Sequence, residues 1–279
     1  MHPLVLQSDF GLDDGAVSAM YGVALGVAPQ LRVHDLTHNI PPYDIHEGSY
    51  RLAQVVQYWP EGTVFVSVVD PGVGSDRLSV VARTASGHLV VTPNNGTLTH
   101  VDRFFGLDEV RIIDETANRL QGSAESYTFH GRDVYAYTGA RLAAGIIDFA
   151  DVGAPVAREE LVTLPVDDPV LEDGAVHGAI DALDVRYGSL WTSIPRPLFR
   201  ELGVEHGDRV TVRVMHHDVV VHAAQMRYVP SFASVEIGES LLYVNSLDRM
   251  AIAINRGHYA RAFSLGTGAS WRVSLRPAP

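Results

Sequence analysis

The stretch Thr63-Val64-Phe65-Val66-Ser67-Val68-Val69-Asp70-Pro71-Gly72-Val73-Gly74-Ser75-Asp76-Arg77 decides the architecture. Its apolar, β-branched beginning reads as a buried strand. Pro71 and Gly72 end that strand abruptly, and Gly74 permits a tight turn. Asp70 therefore stands at a strand's carboxyl end, and Arg77 returns toward it across a Gly-rich loop. Open α/β sheets place ligand chemistry at this edge. Taken alone, the stretch reads equally as a turn with a capping Asp and a surface Arg.

On the N-terminal side, Leu4–Ser8 reads as another buried strand and Leu31–Leu36 as a third. Between them, Asp14–Leu25 has helical spacing, with Asp13 or Asp14 as a cap. Asp44–Trp59 reads as an amphipathic helix ended by Pro60-Glu61-Gly62. On the other side, Leu78–Ala82, His88–Thr92 and Glu109–Ile113 read as strands. Leu98–Phe105 and Phe129–Ala144 read as helices. This alternation predicts an α/β fold whose N-terminal domain, residues 1–153, is a mostly parallel sheet with flanking helices. Residues 154–173 carry Pro155, Pro165 and Pro169 among acids, and read as a linker. From 174 to 279 the chain turns to short, regularly punctuated strands, which predicts a small β-barrel or a β-sandwich.

Composition narrows the function classes. The net charge of −12 argues against a nucleic-acid or anionic-membrane partner. The chain has no Cys, which removes disulfides, thiolate nucleophiles and Cys-ligated zinc. Every basic residue is Arg, so Schiff-base chemistry and a Walker phosphate loop are excluded, since both need a lysine amine. No signal segment or membrane-length apolar run is visible, and a cytoplasmic protein is expected.

Several loops carry residues with chemistry to offer. Asp9, just past the first strand, can accept both hydrogen bonds of a vicinal diol, as a ribose presents. Asp13 and Asp14 beside it suit helix capping. In Ile40-Pro41-Pro42-Tyr43-Asp44 the prolines fix a loop that projects Tyr43, either onto a sugar or base or as a plug at the helix start. His130, at the head of a helix and next to Gly131, can take a proton or stand as an ordinary loop histidine. Asp184 and Tyr187 fall between two strands of the second domain. They can hold an ammonium and stack on a purine, or form a plain hairpin turn. Ser246 can donate to a carboxylate, and Asn255 offers the donor and acceptor that an adenine edge requires. His34 and His38 are spaced like metal ligands on a helix, but the segment reads as a strand running into a Pro loop, so no metal is expected. His216-His217-Asp218 reads as a solvated hairpin tip.

In order, Ser8-Asp9-Phe10-Gly11, Ile40-Pro41-Pro42-Tyr43-Asp44, Val69-Asp70-Pro71-Gly72-Val73-Gly74, Pro93-Asn94-Asn95-Gly96 and the Asn245-Ser246 to Asn255 segment resemble the S-adenosylmethionine (SAM) hydroxide adenosyltransferase family. The fluorinating and chlorinating enzymes are its relatives. The resemblance covers nearly the whole chain. It implies an N-terminal α/β domain, a C-terminal β-barrel, and a homotrimer with each site between neighbouring subunits. It also implies roles: Asp9 on the ribose diol, Tyr43 packed on the sugar, Asp184 on the methionine ammonium and Ser246 on its carboxylate. Tyr187, Phe232 and Asn255 would line the adenine pocket, and Asp70, Arg77 and His130 would form the water-activating set. Halogenating relatives place a Tyr where Asp70 stands. Two departures are visible: Ser189 replaces a usual Asn at the adenine site, and Leu247 replaces an Arg of the fluorinating branch.

The expected reaction is hydrolysis of SAM to adenosine and L-methionine by water or hydroxide attack on C5′. SAM is the substrate, and no cofactor is expected. Halide transfer to C5′ and a non-catalytic SAM or nucleoside sensor are the alternatives. His130 is favoured as proton acceptor, with Asp70 and Arg77 as orienters. A hydroxide held by Arg77 is the competing picture.

Overall fold

The computed structural model describes residues 1–279, which divide into two compact units, Met1–Leu164 and Pro165–Pro279. In the first unit six strands form one sheet: β1 (Leu4–Ser8), β2 (Val33–Thr37), β3 (Val64–Val68), β4 (Ser79–Thr84), β5 (Leu89–Pro93) and β6 (Leu107–Ile112). Their spatial order is β2-β1-β3-β5-β4-β6. The first four of these run parallel, and β4 lies antiparallel to both of its neighbours.

β1 and β3 are buried along their whole length, because helices cover both faces of the sheet. Alternate residues point to opposite faces. Leu4, Leu6, Val64, Val66 and Val68 meet Met20 and Ala24 of helix α1 (Ala16–Val27), with Tyr135 and Ala140. Val5 and Phe65 meet Leu52 and Val56 of helix α2 (Ile45–Val56) and Val101 of helix α3 (Thr99–Phe105). Asp44 caps α2 by accepting the Glu47 N–H at 2.9 Å.

The chain leaves β1 to one side to form β2 and returns on the other side as β3. The crevice beyond the carboxyl ends of β1 and β3 is thus a switch point, where open α/β sheets bind ligands. The predicted helix over 129–144 is two elements. A π-helical turn, Gly131–Ala136, runs into helix α4, Tyr137–Ala144.

The stretch read as a linker is shared between the units. Its beginning runs along the first unit, where the Val156 N–H donates to Val110 O at 2.8 Å and Asn94 Nδ2 donates to Glu160 O at 2.9 Å. Its end forms strand β7 (Val170–Glu172), paired with β8 (Ala175–Leu183). The second unit continues with β9 (Leu190–Pro195), β10 (Arg209–His216), β11 (Val219–Tyr228), β12 (Ser240–Val244), β13 (Arg249–Ile254) and β14 (Trp271–Pro277). The order β14-β10-β11-β12-β13-β9-β8 closes on itself through pairing of β14 with β8, which makes a barrel and not a sandwich. Val176, Ile180, Leu190, Val212, Leu242, Ile252 and Val273 fill it. His217 and Asp218 both have positive φ, 47° and 63°, and join β10 to β11 as a two-residue hairpin turn. No helix is long and apolar enough to cross a membrane.

Candidate active site

At the end of β3, Asp70 receives a two-pronged contact from Arg77. Nε donates to Oδ1 at 2.6 Å and Nη2 donates to Oδ2. Both side chains are nearly buried, at 10% exposure for Arg77 and 6% for Asp70. A fork of this kind fixes orientation as well as charge. The capping-turn alternative for this stretch therefore gives way to a shielded ion pair. The same Nη2 lies 3.2 Å from Nδ1 of His130, which arrives at the head of the π-helical turn. The three residues predicted as a set do meet.

Sequence reasoning missed four neighbours of that set. Arg77 Nη1 donates to Ser79 Oγ at 3.2 Å, and Ser79 Oγ lies 3.1 Å from the hydroxyl of buried Tyr135. Ser79 also donates to Glu115 Oε1 at 3.3 Å. Arg119 Nη1 donates to Glu115 Oε2 at 2.5 Å and stands 3.5 Å from Nε2 of His130. Glu115 and Arg119 lie four residues apart in a polar loop, a spacing that looks like an ordinary surface pair. Ser79 and Tyr135 sit inside regular elements and carry no local signal.

His130 is 4% exposed. Burial is the main cause that pushes its pKa below the usual histidine value. Arg77 and Arg119 push in the same direction, while Glu115 and Asp70 oppose them. The imidazole is therefore neutral near pH 7, as a proton acceptor must be. Burial also drives the Tyr135 phenol far above its ordinary value, so Tyr135 stays a neutral hydrogen-bonding partner.

A second cluster lies at the end of β1. Asp9 Oδ2 accepts the backbone N–H of Tyr43 at 2.8 Å. Tyr43 has φ of 69° and the residue is 73% exposed. A bulky residue rarely adopts that backbone conformation, and the Asp9 bond helps to hold it there. The Tyr43 ring therefore projects outward and does not plug the helix start. The two loops are tied again underneath: Ser8 Oγ lies 2.7 Å from His38 Nδ1, His38 Nε2 lies 2.9 Å from Asp35, and the Gly11 N–H donates to His38 O at 2.7 Å. His38 is thus engaged in this tie, while His34 packs against Trp59. Asp14 accepts the Ala16 N–H at 2.8 Å in a turn that leads into α1, but the cap position is Gly15 and neither Asp13 nor Asp14 caps the helix.

Phe10 joins the two clusters. Its ring packs edge-on to Phe129 with centroids 5.6 Å apart. A Cβ on Gly131 would lie 2.8 Å from the Phe10 ring, so only glycine lets this loop approach the residue beside Asp9.

In the second unit, Asp184 Oδ1 accepts the N–H groups of Arg186 and Tyr187 at 3.0 Å each. That is the predicted hairpin turn, and it uses only one carboxylate oxygen. Gly188 has φ of +63°, and a Cβ there would overlap the His258 ring, so this turn requires glycine. Tyr187 is 70% exposed. Ser189 is buried. Burial pushes the Tyr243 phenol upward, and its ring, unforeseen from sequence, lies 5.0 Å from that of Phe232. Asn255 Nδ2 donates to Val235 O at 2.9 Å. Ser246 is exposed on a turn where Asn245 Oδ1 accepts the Leu247 and Arg249 N–H groups at 2.9 and 3.1 Å. Asn245 Nδ2 is buried with no partner in the chain.

Comparison with known proteins gives a consistent picture. Residues 4–153 match the family pattern described as SAM hydroxide adenosyltransferase N-terminal domain, and residues 178–272 match its C-terminal counterpart. The chain is 37% identical over 273 residues to the (R)-S-adenosyl-L-methionine hydrolase of Salinispora tropica, covering 96% of this chain and 95% of that one. It is 28% identical over 295 residues to a fluorinase from an Actinoplanes species, covering 97% of each. A crystal structure of an uncharacterized conserved protein from Thermotoga maritima superposes with a TM-score of 0.88 at 29% identity, covering 98% of this chain and 99% of that one.

Proposed function

Because the chain belongs to the SAM hydroxide adenosyltransferase family, we infer that it is an enzyme that hydrolyses S-adenosyl-L-methionine to adenosine and L-methionine. The observation that carries the site assignment is the contact of Asp70, Arg77 and His130 at the switch point of the sheet.

The sulfonium is already an activated leaving group. Water oxygen bonds to C5′, the C5′–S bond breaks, and its electron pair stays on the neutral methionine sulfur. One water proton must leave, and His130 receives it. Asp70, held by Arg77, orients the water. Alignment of this kind can lower a barrier by roughly 7–11 kcal/mol, and proton acceptance adds about 10²–10⁴ in rate. The reaction needs no further cofactor.

Asp9 and Tyr43 take the ribose, Asp184 the methionine ammonium, and Ser246 the carboxylate, where the unpartnered Asn245 Nδ2 is a further donor. Tyr187, Ser189, Phe232 and Asn255 take the adenine. A homotrimer with shared sites, implied by the family resemblance, is part of the proposal, and the exposed Tyr43 and Tyr187 rings are free to contact substrate or a neighbouring subunit. Sedimentation measures that state. A cytoplasmic location is part of the proposal, checked by fractionation.

Turnover of SAM in heavy-oxygen water tests the reaction. Label in the adenosine 5′-hydroxyl is expected, and intact SAM after long incubation overturns it. The resemblance to fluorinases along the whole chain makes 5′-halo-adenosine the competing product. Chromatography with fluoride or chloride present separates the two.

A further inference from the structure

The imidazole of His130 lies between two guanidinium groups. Arg77 Nη2 approaches Nδ1 at 3.2 Å, and Arg119 Nη1 approaches Nε2 at 3.5 Å. Each guanidinium has its own carboxylate, Asp70 for Arg77 and Glu115 for Arg119. Ser79 closes the circuit, because its hydroxyl touches both Arg77 and Glu115. The result is a nearly symmetric chain of carboxylate, guanidinium, imidazole, guanidinium and carboxylate.

We propose that Glu115 and Arg119 are positioning residues of the hydrolytic site, and that they set the tautomer and proton affinity of His130 from the side opposite Asp70 and Arg77. The proposal rests on the assignment of His130 as the proton acceptor.

A neutral imidazole has one ring lone pair. Two donors compete for it, and the closer donor, Arg77, holds it at Nδ1 in the resting site; that same lone pair takes the water proton, and the Arg77 contact opens as it does. The ring hydrogen then sits on Nε2, facing Arg119. Arg119 gives its own hydrogens elsewhere, to Glu115 and to the Ser126 carbonyl at 2.8 Å, with its Cζ 4.9 Å from the centre of the Tyr127 ring. These contacts also hold the loop that delivers His130. When the imidazole gains a proton it becomes a cation between two cations. Glu115 and Asp70 offset that cost, one on each side. The charged and titratable groups facing the ring are thus Asp70, Arg77, Glu115 and Arg119, with Tyr127 beside it and Tyr135 against Arg77.

Removing the carboxylate and removing the guanidinium must act in opposite directions. Glu115→Gln leaves Arg119 uncompensated and disfavours imidazolium. Arg119→Met removes a cation and favours it. The test is the His130 titration in the intact, substrate-free protein, followed by imidazole nitrogen and carbon resonances, beside the pH profile of kcat/KM for SAM. The expected result is an Nε2–H tautomer in the parent, a His130 midpoint about one unit lower in Glu115→Gln, and one about one unit higher in Arg119→Met. The acid limb of kcat/KM is expected to move the same way in each. Arg119→Lys, which restores the charge, is expected to return the midpoint toward the parent value.

Midpoints unchanged in folded Glu115→Gln and Arg119→Met, or shifted in the same direction in both, overturn the proposal. The titration is independent of turnover. If the midpoints move as expected while the parent forms no adenosine from SAM, the hydrolytic reading fails and the positioning of His130 stands.

Discussion

The backbone N–H of Tyr43 donates to the carboxylate of Asp9 at 2.8 Å, which ties two loops 34 residues apart into one surface. The bond has two consequences. It helps to hold Tyr43 at a positive φ, and it uses one lone-pair direction of Asp9 Oδ2 while the other acceptor sites remain for a ligand.

Asp9→Ala removes both the diol contact and the tie on Tyr43. Hydrogen bonds to a charged group contribute about 1.5–3 kcal/mol, so the dissociation constant for SAM is expected to rise about 10- to 100-fold in calorimetry. Asp9→Asn keeps an acceptor for Tyr43 and is expected to lose less. Equal effects of the two variants count against the Tyr43 tie.

Asp70→Ala strips Arg77 of its fork and leaves the water without its orienter. A fall in kcat of about 10²-fold is expected from the lost alignment, with SAM binding within a few-fold of the parent. A parallel loss of binding and rate contradicts the orienting role.

Gly131→Ala pushes a methyl group toward the Phe10 ring, 2.8 Å away. Overpacking of this kind costs about 1–3 kcal/mol, read as a lower melting temperature, and kcat is expected to fall with it because His130 is the preceding residue. Phe10→Leu in the Gly131→Ala background is expected to recover part of the stability. A double-mutant cycle with no coupling between the two positions removes this contact from the account.

Stability depends on pH through buried and partly buried histidines. His88, His130 and His222 all have folded-state pKa values below the ordinary 6.5, with burial as the main cause. The unfolded chain therefore binds protons first as pH falls through 6.5. Stability is full above that value and declines below it, through the depressed folded-state values. Urea midpoints are expected to drop between pH 7 and pH 5, and His88→Gln is expected to flatten part of the slope. A midpoint that is level across this range contradicts the prediction.

The fold was legible because its signals are local. The apolar run ending at Asp70, the Asp44 cap and the regular turns after residue 174 report their own structure within a few residues. The places where sequence reading fell short have non-local causes. The π-helical turn at Gly131–Ala136 sits inside a segment that reads as an ordinary helix. β7 is a three-residue strand among prolines, and only its pairing with β8 makes it one. The barrel and the sandwich share the same strand spacing, and one pairing, β14 with β8, separates them.

The site divides along the same line. Asp9, Asp70, Arg77 and His130 stand next to strand or helix ends, which places them at a sheet edge from sequence alone. Glu115 and Arg119 lie in a loop whose composition resembles any solvated surface, and Tyr243 lies within a strand. The amino-acid order by itself determined which groups are delivered to the carboxyl ends of β1 and β3, because strand direction and turn chemistry are written within short windows. Only the tertiary structure decided that two ion pairs would enclose one imidazole, because that depends on bringing Arg77 across 53 residues to a ring that Arg119 meets at its other nitrogen, and no short stretch of chain encodes such a contact.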